Sequence, residues 1–110
     1  MTEIAEIIEK LINFRDQRDW KQFHDSKNLA LAISIEAAEL NEIFLWKKEN
    51  ESFDIEKLKE ELADIFAFSV LLAAKHNVDV RQMIFEKIEI NEQKYPVDLS
   101  KGKSTKYKDL

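Results

Sequence analysis

Helix-breaking residues are almost absent from this chain. Its single proline and its single glycine, Pro96 and Gly102, both lie close to the C-terminus of the 110 residues. Turn-rich β proteins need these residue types at their tight turns, so a chain that lacks both throughout its first 95 positions is predicted to be all-α. A chain of this length has room for one domain, which we expect to span residues 1–110.

Apolar residues recur at intervals of three and four in four segments, and this spacing predicts four helices. In chain order, the expected helices run from Thr2 to about Asp19, from Ser26 or Asn28 to about Glu49, from Ser52 or Asp54 to about His76, and from Asp79 to about Tyr95. Asp79 and Gln82 have the spacing of a capping box, and Pro96 stops the last helix. The predicted architecture is an antiparallel four-helix bundle followed by a basic tail at 97–110.

Composition and charge exclude several classes of protein. The formal net charge of −5 argues against a DNA- or RNA-binding protein, whose affinity would depend on basic contacts to phosphates. The absence of cysteine excludes disulfides and thiolate chemistry. We expect no membrane partner, because no apolar run approaches the roughly 18 residues of a membrane span. The N-terminal residues lack the basic and apolar regions of a secretion signal, so we expect a cytoplasmic location.

Two acidic pairs interrupt the apolar stripes of the second and third helices. Glu36 follows Ile33 by three positions, so it lies on the apolar stripe itself. Glu61 stands in the same relation to Leu58. Similar pairs on the first and fourth helices are interpreted as solvated faces. The second members of the two unusual pairs, one turn further along each helix, are Glu39 and Asp64.

Carboxylates on a core-facing stripe need a partner. Each costs several kcal/mol, roughly, unless it is paired or bound to a metal. If the two helices pack side by side, four carboxylates converge and repel one another until a cation joins them. Hard oxygen ligands select Mg²⁺, Mn²⁺ or Ca²⁺ over zinc or copper. The sequence therefore predicts a divalent-cation site, and the alternative is a structural ion-pair network.

Two other all-α interpretations are tested by the same sequence. A ferritin-like di-iron bundle needs Glu-x-x-His motifs on two helices. The two histidines, His24 and His76, are preceded at that spacing by Lys21 and Ala73, which excludes the motif. Each histidine is expected at the surface or at a helix end. A non-enzymatic helical interaction module with solvated acidic pairs is a further alternative, and it should not bind Mg²⁺ or Mn²⁺.

The acidic pattern and several other segments resemble the MazG-like all-α nucleoside triphosphate pyrophosphohydrolases, and in particular their dCTP pyrophosphatase branch. The acidic signature consists of Glu36-x-x-Glu39, 21 intervening residues and Glu61-x-x-Asp64. The resemblance extends over nearly the whole chain. The other similar segments are Phe14 to His24, Lys27 to Ala32, Phe44 to Lys47, Lys87 to Pro96 and Ser104 to Tyr107.

This resemblance implies an enzyme that hydrolyses a deoxynucleoside triphosphate to the monophosphate and pyrophosphate. It favours dCTP or a related or modified dNTP as substrate, and a role in cleansing the nucleotide pool. It also implies Mg²⁺, with Mn²⁺ as a second possibility, held by Glu36, Glu39, Glu61 and Asp64. Glu36 or Glu39 would in addition orient or deprotonate the attacking water.

The resemblance also implies binding roles for residues whose local pattern says little. Trp20 and Trp46 would line the base pocket, where stacking on a base is worth about 1–3 kcal/mol. The remaining positions, which look like phosphate or metal-site contacts, are Lys75, Lys87 and Asn91.

The family implies self-association as a dimer or tetramer, with the nucleotide site near the subunit interface. The modest core that one chain of this size can form agrees with this expectation. Two positions depart from the animal dCTP enzymes, since Phe68 replaces a tyrosine and Leu11 replaces a histidine, so a broader dNTP preference is an alternative. A phosphoribosyl-ATP pyrophosphohydrolase would use the same carboxylates but should lack the pocket formed by Trp20 and Trp46.

Overall fold

The computed structural model describes all 110 residues, and every regular element in it is helical. The predicted all-α class is therefore confirmed. None of the helices combines the length and the apolar character that a membrane crossing requires. The long helices are α1 (Glu3–Gln17), α2 (Ser26–Phe44), α3 (Ile55–Lys75) and α4 (Val80–Lys94), and the short elements are a 3₁₀ turn at Lys21–Phe23, α5 (Val97–Ser100) and a 3₁₀ turn at Tyr107–Asp109.

The chain divides into two compact units, Met1–Val78 and Asp79–Leu110. The first unit contains α1, α2 and α3, and the second contains α4, α5 and the C-terminal residues. The expectation of a single domain over 1–110 stays a prediction.

The N-cap of α2 differs from both residues expected. Asp25 caps the helix, because its carboxylate accepts a hydrogen bond of 2.7 Å from the backbone N–H of Asn28. The prediction of Ser26 or Asn28 is wrong because each has another role. The Ser26 hydroxyl lies 2.8 Å from Nε2 of His76, and the Asn28 backbone N–H is the group being capped.

The C-terminus of α2 also differs from the expectation. The helix ends at Phe44, five residues before Glu49, so the predicted boundary is wrong. Leu45 adopts an extended ψ of 127°, and Trp46 has a left-handed φ of 64°. The residues that follow are mostly charged and offer no apolar stripe to bury. The chain reverses direction after α2, and the ring of Phe44 packs against that of Phe53 across this turn, with a centroid distance of 4.9 Å.

Helices α2 and α3 pack against each other in antiparallel fashion. At one end, Ser26 at the start of α2 contacts His76 at the end of α3. At the other end, Phe44 at the end of α2 contacts Phe53 just before α3. This arrangement is the principal helix–helix contact in the first unit, and α1 contacts α3 beside it.

The apolar core of the first unit is small. Its buried apolar side chains are Leu29, Val70 and Leu71, and each is no more than 9% exposed. Large apolar side chains on the outer faces of α2 and α3 remain exposed. Examples are Leu31 at 53%, Ile35 at 50% and Phe66 at 65%.

The second unit begins with half of the predicted capping box. Asp79 accepts a hydrogen bond of 2.8 Å from the backbone N–H of Gln82, as expected for an N-cap. The Gln82 side chain does not reach back, because its amide donates to Glu86 at 2.8 Å. The prediction of α4 ending near Tyr95 is confirmed, since Tyr95 is its C-cap and precedes Pro96.

The basic tail forms short helical elements. The ring centroids of Tyr107 and Tyr95 lie 6.1 Å apart, and Nζ of Lys94 lies 4.7 Å from the Tyr107 ring. These aromatic and cation–π contacts join the final 3₁₀ turn to the end of α4.

The corrected N-cap of α2 can be tested by mutation. We expect Asp25→Ala to lower the free energy of unfolding by about 1 kcal/mol, because the N–H of Asn28 loses its acceptor. Asp25→Asn should retain most of the stability, since its amide oxygen can still accept this bond. Urea denaturation followed by circular dichroism measures both variants, and an equal loss in the two would contradict the capping role.

Candidate functional site

Three carboxylates meet where α2 packs on α3. Glu36 and Glu39 come from α2, and Glu61 comes from α3. One carboxylate oxygen from each lies within 4.8 Å of the other two. Glu61 is only 2% exposed, and Glu36 and Glu39 are partly buried. We call these three residues the carboxylate cluster.

The side chains of the cluster lie close together because of the positions of the three glutamates on their two helices. Residues three apart share a helix face, so Glu36 and Glu39 both point toward α3. The antiparallel pairing of the helices then sets Glu61 opposite them. Asp64 lies one turn beyond Glu61 and is exposed, outside the group of three. Its charge still acts on Glu36.

Proton sharing and burial shift the acidity of the cluster. A proton on Glu36 can form a hydrogen bond to Glu61, and this bond is the main reason that the pKa of Glu36 is raised to about 7. Burial and the nearby charges of Glu39 and Asp64 act in the same direction. The pKa of Glu61 is lowered, because it accepts from Glu36 and from Lys57.

The donor set fits a hard divalent cation. The Oε2 atoms of Glu36 and Glu61 are both buried without a hydrogen-bond partner. Buried carboxylate oxygens without a donor are costly, and a cation can satisfy them. All the ligand atoms are carboxylate oxygens, which suit Mg²⁺, Mn²⁺ or Ca²⁺. The cluster could therefore bind a metal ion.

The two tryptophans lie beyond opposite ends of α2. Trp20 precedes the helix, is 43% exposed and packs edge-on against Phe14 with a centroid distance of 5.7 Å. Trp46 follows the helix and is 92% exposed. The 19 residues of α2 span about 27 Å, so one chain does not bring the two rings together.

A cationic cleft of about 380 Å³ lies where α1 ends, α2 begins and α3 ends. Its basic lining residues are Arg15, Lys21, His24 and Lys75, beside apolar side chains from the three helices. Nδ1 of His24 is buried without a hydrogen-bond partner. The pKa of His24 is lowered, chiefly by burial and then by the charge of Arg15. Lys75, predicted to contact phosphate, is one of the residues that line this cleft, where the Arg15 guanidinium pairs with Asp16 at 2.8 Å.

The other two predicted binding residues lie in the second unit. Lys87 and Asn91 are four residues apart on α4, so they share one exposed face of that helix. The backbone carbonyl of Asn91 also accepts the hydrogen bond of 2.8 Å from Tyr95 that closes the helix.

Comparison with known proteins identifies the family. The profile of the MazG-like family matches residues 31–110, a range that includes the carboxylate cluster and Asp64. The chain belongs to the MazG-like family. This MazG-like chain is 42% identical over 104 residues to dCTP pyrophosphatase 1 of Mus musculus and 38% identical over 104 residues to that of Homo sapiens.

The matches differ in how much of each protein they cover. Each of these two alignments covers 88% of the MazG-like chain, but only 61% of the mammalian protein. The chain therefore spans about three-fifths of the length of these curated relatives. The crystal structure of a pyrophosphatase from Archaeoglobus fulgidus superposes with a TM-score of 0.78 at 35% identity, covering 87% of this chain and 94% of that one. The chain therefore shares its all-α fold with a solved pyrophosphatase.

Sequence reasoning did not identify two features of the MazG-like site. Lys57 lies 3.0 Å from Glu61, and its position four residues earlier on the same helix could have indicated the pair. The cationic cleft combines residues from three helices, and no local spacing in the sequence reveals it. The expectation that each histidine lies at the surface or at a helix end is confirmed, since His24 is the C-cap of the 3₁₀ turn at Lys21–Phe23 and His76 is the C-cap of α3.

The raised pKa of Glu36 predicts a pH dependence of stability in the metal-free MazG-like protein. Between the ordinary value of 4.5 and about 7, the folded state keeps the Glu36 proton that the unfolded chain releases. The stabilisation from this group is complete below 4.5 and is lost as the pH rises through about 7. Glu36→Gln removes the titrating group, so the variant should lack this contribution.

The measurement is urea unfolding in EDTA at pH 5, 6, 7 and 8, and its readout is the difference between wild type and Glu36→Gln. This difference cancels the opposite contribution of His24, whose lowered pKa raises stability with pH in part of the range. Glu42→Gln, an exposed change on the same helix, serves as the control. A difference that stays constant with pH would contradict the shared proton.

Proposed function

We propose that this protein hydrolyses deoxynucleoside triphosphates to the monophosphate and pyrophosphate, with dCTP or a related or modified dNTP as the preferred substrate. Water would add at the α-phosphorus, and the bond from that phosphorus to the oxygen bridging the β-phosphate would break. The proposed cellular role is removal of excess or modified dNTPs from the nucleotide pool. The cytoplasmic location and the absence of nucleic-acid partners stay predictions.

The carboxylate cluster is the observation that carries this proposal. A group of one buried and two partly buried carboxylates, with two unpartnered oxygens, is an unstable arrangement unless a cation completes it. The names of the mammalian relatives and of the archaeal structure, which specify dCTP pyrophosphatase and pyrophosphatase, support hydrolysis of a phosphoanhydride as the use of such a cation.

Each cluster residue has a proposed task. Glu36, Glu39 and Glu61, with Asp64 beside them, would hold Mg²⁺, for which Mn²⁺ could substitute. When bound, the cation would neutralise charge that develops on the triphosphate. Glu36 or Glu39 would in addition orient or deprotonate the attacking water, a role that a carboxylate beside the cation can fill.

The binding residues would fix the nucleotide by its two ends. An exposed ring such as that of Trp46 is free to stack on a base. We assign the same task to Trp20, and phosphate contacts to Lys75, Lys87 and Asn91. Phe68 is partly buried and offers no hydroxyl, and Leu11 offers no hydrogen bond to a base, so a broader dNTP preference is the alternative to a preference for cytosine.

Geometry within one chain favours a site shared by two copies. Glu61 and Lys75 are 14 residues apart on α3, which separates them by about 21 Å, more than the length of an extended triphosphate. Trp20 and Trp46 are separated similarly by α2. A second copy could supply Lys75 and the neighbouring cleft to the cluster of the first. The exposed apolar faces of α2 and α3 provide a surface for such a dimer or tetramer.

The proposed reaction is tested by pyrophosphate release from a panel of canonical and modified dNTPs with Mg²⁺, including phosphoribosyl-ATP as a discriminating substrate. We expect turnover of dNTPs and its loss on adding EDTA. Glu39→Gln and Asp64→Asn should each lower kcat by a factor on the order of 100 or more, because the charge that holds the cation is removed.

The circular-dichroism spectrum of both variants should remain helical, which separates lost chemistry from lost folding. Glu42→Gln, an exposed glutamate on α2 outside the cluster, should keep wild-type activity. Full activity in Glu39→Gln or Asp64→Asn would contradict the assigned roles. Turnover confined to phosphoribosyl-ATP would replace the proposed substrate class.

The shared site is tested by complementation between inactive variants. Glu39→Gln and Lys75→Ala chains carrying different tags are co-expressed, and the mixed species is isolated. A mixed dimer contains one intact site of two, so we expect about half of the wild-type activity. A mixed dimer of Glu39→Gln and Asp64→Asn should stay inactive, because both residues belong to the same half of each site. Activity no greater than that of the parents would contradict a shared site.

A further inference from the structure

The carboxylate cluster is already in contact with one cation, the ammonium group of Lys57. Nζ of Lys57 lies 3.0 Å from Oε1 of Glu61. The Glu61 side chain is 3% exposed, whereas that of Lys57 is 50% exposed. The lysine therefore reaches from solvent to the most deeply buried carboxylate of the cluster.

This contact compensates part of the charge of the metal-free cluster. A buried carboxylate that loses its only counter-charge is strongly destabilising. Lys57 neutralises one oxygen of Glu61, while Oε2 of the same carboxylate has no hydrogen-bond partner. In the absence of a metal ion, one oxygen of Glu61 therefore has a partner and the other has none.

The ammonium group has a second position available outside the cluster. Oε2 of Glu60 lies 3.8 Å from Nζ of Lys57, and the Glu60 side chain is 68% exposed. A lysine side chain has a flexible four-carbon stem, so its charge can move between these two carboxylates without any change in the helix.

We propose that Lys57 is the resident counter-cation of the cluster, which occupies Oε1 of Glu61 in the metal-free protein and leaves it when a divalent cation binds. This inference rests on the proposed function, because it needs a divalent cation at the cluster. Its consequence is that Lys57 has two opposite effects. It stabilises the empty site and weakens the affinity for the metal ion.

The test uses Lys57→Met, which keeps the length and apolar character of the stem and removes the charge. Isothermal titration calorimetry with Mg²⁺ and with Mn²⁺ should give a Kd about tenfold lower than that of wild type, because the cation no longer meets a positive charge at Glu61. Thermal unfolding in EDTA should show a lower Tm for this variant than for wild type.

Lys59→Met is the matched control. Lys59 lies on the same helix, is 67% exposed, and pairs at 3.3 Å with Glu56 rather than with the cluster. Its substitution removes the same charge from the protein and should leave the metal Kd unchanged. Lys57→Gln provides a second variant should Lys57→Met fail to fold.

The outcomes separate this inference from the proposed function. If wild type binds neither cation, both fall. If wild type binds and the Lys57 variants bind equally or more weakly, only the displacement of Lys57 is overturned. A tenfold gain shared by Lys59→Met would also overturn it, since the effect would then reflect net charge rather than the contact with Glu61.

Discussion

The buried carboxylate of Glu61 is the constraint around which the first unit is organised. It lies in the contact between α2 and α3, so its negative charge cannot be solvated by water. The ammonium group of Lys57 lies 3.0 Å from it, and a proton on Glu36, whose pKa is raised to about 7, can form a hydrogen bond to it. One oxygen on each of these two glutamates has no hydrogen-bond partner in the metal-free structure. A helix interface that keeps such carboxylate oxygens unpartnered favours the binding of a divalent cation.

Few residues are needed to hold the Glu61 carboxylate in the contact between the two helices. Acidic N-caps at Asp25 and Asp54 start α2 and α3, and each accepts backbone hydrogen bonds that a helix terminus otherwise leaves unsatisfied. The aromatic contact between Phe44 and Phe53 then closes the turn between the helices. With both ends fixed, the register of the pair is fixed as well, and Glu61 faces α2.

The periodicity of apolar residues was sufficient to predict the four long helices and to identify the three glutamates of the carboxylate cluster. Glu36 and Glu61 could be identified from sequence because a charged residue is conspicuous on an apolar stripe. Asp79 could be identified as an N-cap because the spacing between a cap and the residue it bonds is local. The end of α2 at Phe44 was not predicted, although the mostly charged residues that follow it could have indicated it. The cationic cleft depends on three helices meeting, and no local spacing predicts the left-handed φ of 64° or the 92% exposure of Trp46.

Helix α2 also acts as a rigid spacer. Its 19 residues keep the surroundings of Trp20 about 27 Å from those of Trp46, and side chains so far apart influence each other's energies only weakly. Selection can therefore remodel the surface around Leu11 and Trp20 while the carboxylates in the middle of the helix stay as they are. A chain built in this way is free to diverge in what it recognises during evolution, with its acidic centre inherited intact.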